Sequence, residues 1–437
     1  MAPSARRESW RLAWPLILSN LSVPLLGMVD TAVVGHLPSP HYLGAVALGA
    51  TAMSVLYFAF GFLRMGTTAL AAQAYGSSDA LELRTTLCRG LMVAVGLGIL
   101  ALAAGPLVLA ASMALLAPPG ETLEPFRAYL GVRLLGAPAG LANFVLLGWL
   151  LGLQDSRRPL LLMVATNGIN AVLDVTLVFG FGLAATGVAL ATVAAEYGGL
   201  LLGFVLTRPA WRRLGGWPGW PAILVAGRFR RLLVVNRDIF LRSLMLESAF
   251  LAFTALGSRQ GALVLAANAI LLNFFTLASY GLDGFANAAE AMVGRAVGAA
   301  DGLRFRAAVR AAFVNAILLA AIMTLAFALL GPIGIRLMTG LPEVRSVAMA
   351  FLPYAVLLPI VTVWGFLFDG VFFGATWTAE LRNGMAVALL LFALATAVLV
   401  PPLANHGLWL AFLLFFAARG AVLATIYRRQ PVPAAAS

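Results

Sequence analysis

Ser22-Val-Pro-Leu-Leu-Gly-Met-Val-Asp30-Thr-Ala-Val-Val-Gly35 is an apolar run with one carboxylate near its middle. Long apolar stretches recur along the whole chain, so this one reads as part of a membrane span. An acid at that depth costs roughly 2.5–3.5 kcal/mol on insertion scales. Such a residue is either satisfied by polar neighbours or kept for a task, and Asp30 is one of several.

The 437 residues are 62% hydrophobic and 11% charged, with mean hydropathy +0.96. That composition describes a polytopic membrane protein and excludes a soluble domain of this size. The N-terminus runs directly into a full-length span, so no cleavable signal peptide is expected. A single cysteine, Cys88, excludes a disulfide framework, and His36, His41 and His406 lack metal-ligand spacing. No cofactor and no resident metal are expected.

Twelve spans are read near 10–35, 43–75, 86–112, 123–152, 159–181, 184–207, 232–257, 262–296, 307–330, 346–375, 383–403 and 406–427. Several exceed the ~20 residues needed to cross, which predicts tilted or bent helices. The net charge of +12 comes entirely from arginine among the basic residues. It reports topology, and no nucleic-acid partner is expected. Loops holding Arg6, Arg7, Arg84, Arg157, Arg158, Arg212, Arg213, Arg228, Arg304 and Arg428 fall on one side; Arg127, Arg259, Arg336 and Arg345 fall on the other. The positive-inside rule then places both termini in the cytoplasm.

Trp211-Arg-Arg-Leu-Gly-Gly-Trp-Pro-Gly-Trp-Pro221 separates spans six and seven as a linker would. The expected division is an N-lobe over 1–210, a cytoplasmic linker over 211–230 and a C-lobe over 231–437. The halves are akin: Leu70-Ala-Ala-Gln-Ala-Tyr-Gly76-Ser-Ser-Asp79 resembles Met292-Val-Gly-Arg-Ala-Val-Gly298-Ala-Ala-Asp301, 222 residues on, and Gly152 and Gly374 share that offset. The fold class expected is all-α integral membrane, twelve helices in two six-helix bundles repeated in parallel about a central cleft.

Seven acids fall well within spans: Asp30, Asp174, Glu196, Glu247, Asp283, Glu290 and Asp369. Asp238, near the start of span seven, has Arg242 at i+4 and reads as a local ion pair. In span five, Asn167, Asn170 and Asp174 share one helix face, and span one offers Ser19, Ser22 and Asp30, with Pro15 and Pro24 as bending points. If those faces meet, Asp30, Asn170 and Asp174 form one cluster, either polar glue between helices or a site exchanging protons and cations. Glu196 reads as structural. Arg64 and Arg133 either hold acids or snorkel. Asn273, Tyr280, Asp283, Asn287 and Glu290 form a polar stripe in span eight, and Glu247 and Asp369 are candidates for a second ionisable site.

On these residues the chain resembles the multidrug and toxic-compound extrusion (MATE) family, in its DinF-like branch. The resemblance rests on Pro15 followed by Asp30, Gly152-Leu-Gln-Asp-Ser-Arg-Arg-Pro159, Asn170-Ala-Val-Leu-Asp174, Asp283-Gly-Phe-Ala-Asn-Ala-Ala-Glu290 with Gly294, and Phe368-Asp369-Gly-Val-Phe-Phe-Gly-Ala-Thr376 near Arg382-Asn383. It spans nearly the whole chain. It implies cation-coupled export of lipophilic, often cationic compounds by alternating access, from the inner membrane. It further implies Asp30 as the titrated acid, Asn170, Asp174 and Thr192 in its network, Tyr129 lining the cavity, and bending at Pro15. Glu247 and Asp369 resemble the cation-site acids of the NorM-like branch, where sodium is often the coupling ion. Protons are favoured here, because the N-lobe acids lack a set of extra oxygen ligands. The partners expected are small-molecule substrates and the lipid bilayer, with the chain acting as a monomer. A lipid-precursor flippase of the same superfamily would want a cationic cavity, against the acidic deep charges. A polytopic enzyme would want paired histidines and acids or a loop domain, and neither is present.

Overall fold

A computed structural model of the chain describes residues 4–37 and 39–430. Among the described residues there are helices and no strands. In order they are α1 (Ala5–Gly35), α2 (Pro40–Phe60), α3 (Phe62–Gly76), α4 (Ala80–Ala103), α5 (Gly105–Leu116), α6 (Gly120–Leu134), α7 (Ala137–Gly152) and α8 (Arg157–Val175), the last followed by a π-helical turn, Thr176–Gly180. Then come α9 (Ala184–Arg213), α10 (Trp220–Ile223), α11 (Ala226–Ser258), α12 (Ala262–Gly298), α13 (Gly302–Met338), α14 (Pro342–Ala375) and α15 (Thr378–Arg429).

Ten of these stretches, α2 with α3 counted as one, are long and apolar enough to cross a membrane, and α6 with α7 adds an eleventh bent by 48°. At 52 residues α15 is too long for one crossing. It breaks just after Pro401 and Pro402, at Ala404, which has φ 48° and ψ −123°. The Phe392 and Phe415 rings stand 5.6 Å apart. In one straight helix those residues would lie roughly 34 Å apart, so the two arms fold back on each other as a hairpin, which makes two crossings of α15 and brings the described residues to twelve.

Contact density divides the chain into two compact units, Leu18–Asn236 and Met1–Ile17 with Arg237–Ser437. The boundaries thus fall inside α1 and α11. In the first unit, α3 packs on α4 and α7, α2 on α6, and α8 on α9. The linker belongs to this unit. Buried Arg89 donates to the carbonyls of Ala222 and Ile223 at 2.9 and 2.7 Å, and Arg84 donates to that of Gly216 at 2.9 Å. In the second unit, α12 and α14 share the most extensive contact, beside an aromatic core that includes Phe253, Trp409, Phe412 and Phe416.

The repeat read from the sequence is visible in backbone detail. Asp79 and Asp301 each cap the following helix, accepting from the amides of Glu82 at 2.8 Å and Arg304 at 2.9 Å. The preceding residues, Ser78 and Ala300, both take positive φ. A Cβ on Gly148 would lie 2.4 Å from the Arg64 carbonyl oxygen; one on Gly370 would lie 2.1 Å from that of Ala286. Both pairs of positions are related by the same offset of 222. One helix crossing is therefore built twice, and each copy requires glycine because the facing atoms are backbone.

Gly370→Ala is expected to cost about 1–3 kcal/mol through overpacking, read as a lower thermal unfolding midpoint of the detergent-solubilised protein. Gly96→Ala, where nothing lies within 4 Å of the added methyl, should leave the midpoint unchanged or raise it.

Candidate functional site

In the first unit α8 brings Asn167, Asn170 and Asp174 onto the face that meets α1. Asn167 Nδ2 donates to Ser22 Oγ at 2.9 Å. Asn170 Nδ2 donates to Asp174 Oδ2 at 2.6 Å and reaches Asp30 Oδ1 at 3.4 Å. The two carboxyls thus share one amide donor across the α1–α8 contact. Asp174 is fully buried (0% exposed), and its Oδ1, like Asn170 Oδ1, has no hydrogen-bond partner. A buried acceptor left bare is costly, and it is free to take a proton or a cation. The π-helical turn follows directly after Val175; such turns are frequent at functional sites, and no sequence pattern announced this one.

α6 and α9 complete the surroundings. Tyr129 is buried among Val33, Val34, Val46 and Val188, with its ring against Gly49. Thr192 donates to the Val188 carbonyl of its own helix at 3.0 Å, so its proton is used there and not on the acid pair. Arg133 donates to Glu196 Oε1 through both terminal nitrogens at 3.2 Å, and Tyr57 donates to the same oxygen at 2.8 Å. Arg133 thus holds an acid and does not snorkel. The α1 helix runs unbroken through Pro15 and Pro24.

The second unit is arranged differently. Asp369 on α14 is ion-paired with both Arg242 on α11 and Arg419 on α15, and all three are buried. Asp283 on α12 lies within Coulombic reach of both arginines. The local pairing expected between Asp238 and Arg242 does not form. Asp238 instead binds Arg237 at 3.0 Å and Arg382 at 2.7 Å. The i, i+4 rule concerns exposed helix faces, whereas buried Arg242 finds its acid on another helix. Glu247 is exposed on α11, and no contact joins it to Asp369. Among the described residues no group of three or more His, Cys, Asp or Glu side chains is placed to hold a metal ion. Arg419 escaped the sequence reading, although an arginine inside the last apolar run was signal enough.

Long apolar spans with paired and unpaired interior acids are the plan of a membrane transporter. The MatE family profile matches residues 15–176 and again 239–401, once in each half, and the chain belongs to that family, whose members are transporters and not enzymes. It is 46% identical over 427 residues to the DNA damage-inducible protein F of Escherichia coli K12, covering 98% of this chain and 93% of that one. With a probable multidrug resistance protein NorM from Caulobacter vibrioides it shares 31% identity over 92% of this chain and 84% of that one. Among solved structures it resembles a MATE protein in its bent conformation, with TM-score 0.88, 20% identity and coverage of 98% and 95%. It also resembles a MOP-superfamily transporter from Pyrococcus furiosus, with TM-score 0.87, 19% identity and coverage of 98% and 96%. At such identities the structural likeness concerns the fold.

Removing one partner of a buried ion pair strands the other's charge, at a cost of about 3–5 kcal/mol. Asp369→Asn is therefore expected to lower the thermal unfolding midpoint and the folded yield markedly. Glu247→Gln should leave both near wild type in the same measurement.

Proposed function

We propose that the chain is a secondary active exporter of lipophilic cations, driven by protons through Asp30, Asn170 and Asp174. The observation that carries this reading is the buried Asp174 oxygen left bare beside a second carboxyl. An ionised pair attracts a cation, and a protonated pair releases it. Protons arriving from outside would exchange with cargo taken up from the cytoplasmic leaflet or cytoplasm, by alternating access. Likeness to proteins called probable multidrug resistance proteins supports a varied set of small molecules. The arginine bias supports cytoplasmic termini in the cell membrane, and the chain is taken to work as a monomer.

Sodium coupling through Glu247 and Asp369 is the second reading, and the exposed Glu247 is what favours it. Against it, the Asp369 carboxylate already has two guanidinium partners, which leaves little for a monovalent cation to gain. A flippase for phosphate-bearing lipid precursors would be better served by uncompensated arginines than by arginines paired with acids.

The test is ethidium transport in everted vesicles under an imposed pH gradient without sodium. Wild type should transport, and Asp30→Asn should lose at least about tenfold in rate, equivalent to roughly 1.4 kcal/mol, while reaching the membrane normally. Sodium-dependent transport that survives Asp30→Asn and is abolished by Glu247→Gln would overturn the proton reading.

A further inference from the structure

The Arg133–Glu196 pair is built into the break of span four. Arg133 lies in the last turn of α6, one turn beyond Tyr129, and α7 leaves at 48° just after it. A Cβ at Gly136 would overlap Glu196 Oε2 and crowd Arg133 Nη1, at 1.9 and 3.3 Å. The missing side chain makes room for the pair. Asn143 Nδ2 holds the Glu196 carbonyl at 2.9 Å, and the Tyr57 ring lies 5.9 Å from the guanidinium carbon. Glu196 Oε2 is buried without a hydrogen-bond partner. The pair is not isolated from the acid cluster. Tyr129, one turn before Arg133 on α6, packs on Val33 and Val34 of α1, just beyond Asp30, so the guanidinium stands near the acids without touching their oxygens, and at low dielectric its charge is felt there.

The charges can be counted from this geometry. Two carboxyls that share one amide donor in a low-dielectric site do not both ionise, so Asp30 and Asp174 together bear one negative charge. Glu196 bears a second. Arg133, whose guanidinium is not deprotonated in proteins, cancels one. We infer that Arg133 is the resident counter-cation of this acidic cluster, holding its charge at one negative unit and so selecting organic cations of single charge over those of double charge. Glu196 is its mooring, keeping the guanidinium close enough to be felt at Asp30 and Asp174 without closing their unpartnered oxygens. The inference rests on the cation-exporter reading and adds a charge rule to it.

Ethidium and propidium share one aromatic ring system and differ by a second quaternary ammonium, which makes them a matched pair of probes. Their binding to the purified full-length protein in detergent is read by fluorescence titration. Wild type should prefer ethidium. Arg133→Gln should shift the preference toward propidium by about tenfold or more, and Arg133→Lys should keep the wild-type ratio. Glu196→Gln, which leaves Arg133 uncompensated, should weaken both dyes by about tenfold. The double variant Arg133→Gln/Glu196→Gln restores the single negative charge and should return the ratio to that of wild type. If Arg133→Gln is not recovered folded, Glu196→Gln and the double variant still decide. A merely structural pair would weaken both dyes alike in every variant, with no change of ratio and no restoration in the double variant; that result overturns the inference. If the wild type binds neither dye, the cation-exporter reading fails and the charge rule fails with it.

Discussion

Few things in this chain are as expensive as a carboxylate inside a membrane, and the disposition of the remaining buried groups follows from how each such charge is met. Stranding a charge in low dielectric costs several kcal/mol, so an interior acid acquires a cation, a proton or a set of donors. Asp369 takes two arginines. Glu196 takes Arg133 and the hydroxyl of Tyr57. Asp238, buried on α11, takes Arg237, Arg382 and the hydroxyl of Thr378. Asp174 alone of these has no cation in contact with its oxygens, only a neutral amide, which is why the first unit's cluster reads as chemistry and the others as architecture.

Duplication explains the scaffold but not this chemistry. The glycine crossings at 148 and 370, and at 152 and 374, place small residues against backbone in the same way in both copies. The polar groups do not repeat. Beside Gly148 the residue matching Asp369 is Leu147, and at the same offset Asn170 and Asp174 correspond to Phe392 and Thr396. Close backbone packing admits almost no substitution, whereas a side chain directed into a polar pocket can change provided its charge is still answered. One copy evolved an acid pair and the other a compensated ion cluster on a common frame.

Much of this was legible in the sequence, and the boundary is physical. Span number followed from apolar length, the break in α15 from the boundary read between spans 383–403 and 406–427, and the Asp30–Asn170–Asp174 cluster from a shared helix face. All are properties of single helices or of one pair of faces. Partner choice between helices was not legible. Arg242 had an acid one turn away and paired instead with Asp369, 127 positions along the chain. Thr192 spent its hydroxyl on Val188, as threonines inside helices readily do. The π-helical turn after Asp174 inserts a residue into the backbone ladder, and nothing in Val175-Thr-Leu-Val-Phe179 differs from an ordinary apolar stretch.

The contrast between the units bears on what a coupling site can be. Arg242 and Arg419 both contact one oxygen of Asp369, so protonating that acid would strand two guanidinium groups, and that cost opposes any cycle in which the acid gains and loses a proton. In the first unit the cation stands one step back, moored on Glu196, so it moderates the field at Asp30 and Asp174 without occupying their oxygens. Distance separates the two roles: an arginine in direct contact locks an acid in one state, and an arginine at second remove leaves it able to change state. A transporter has use for both, the first to hold helices together in a solvent that offers no hydrogen bonds, the second to let charge be exchanged there.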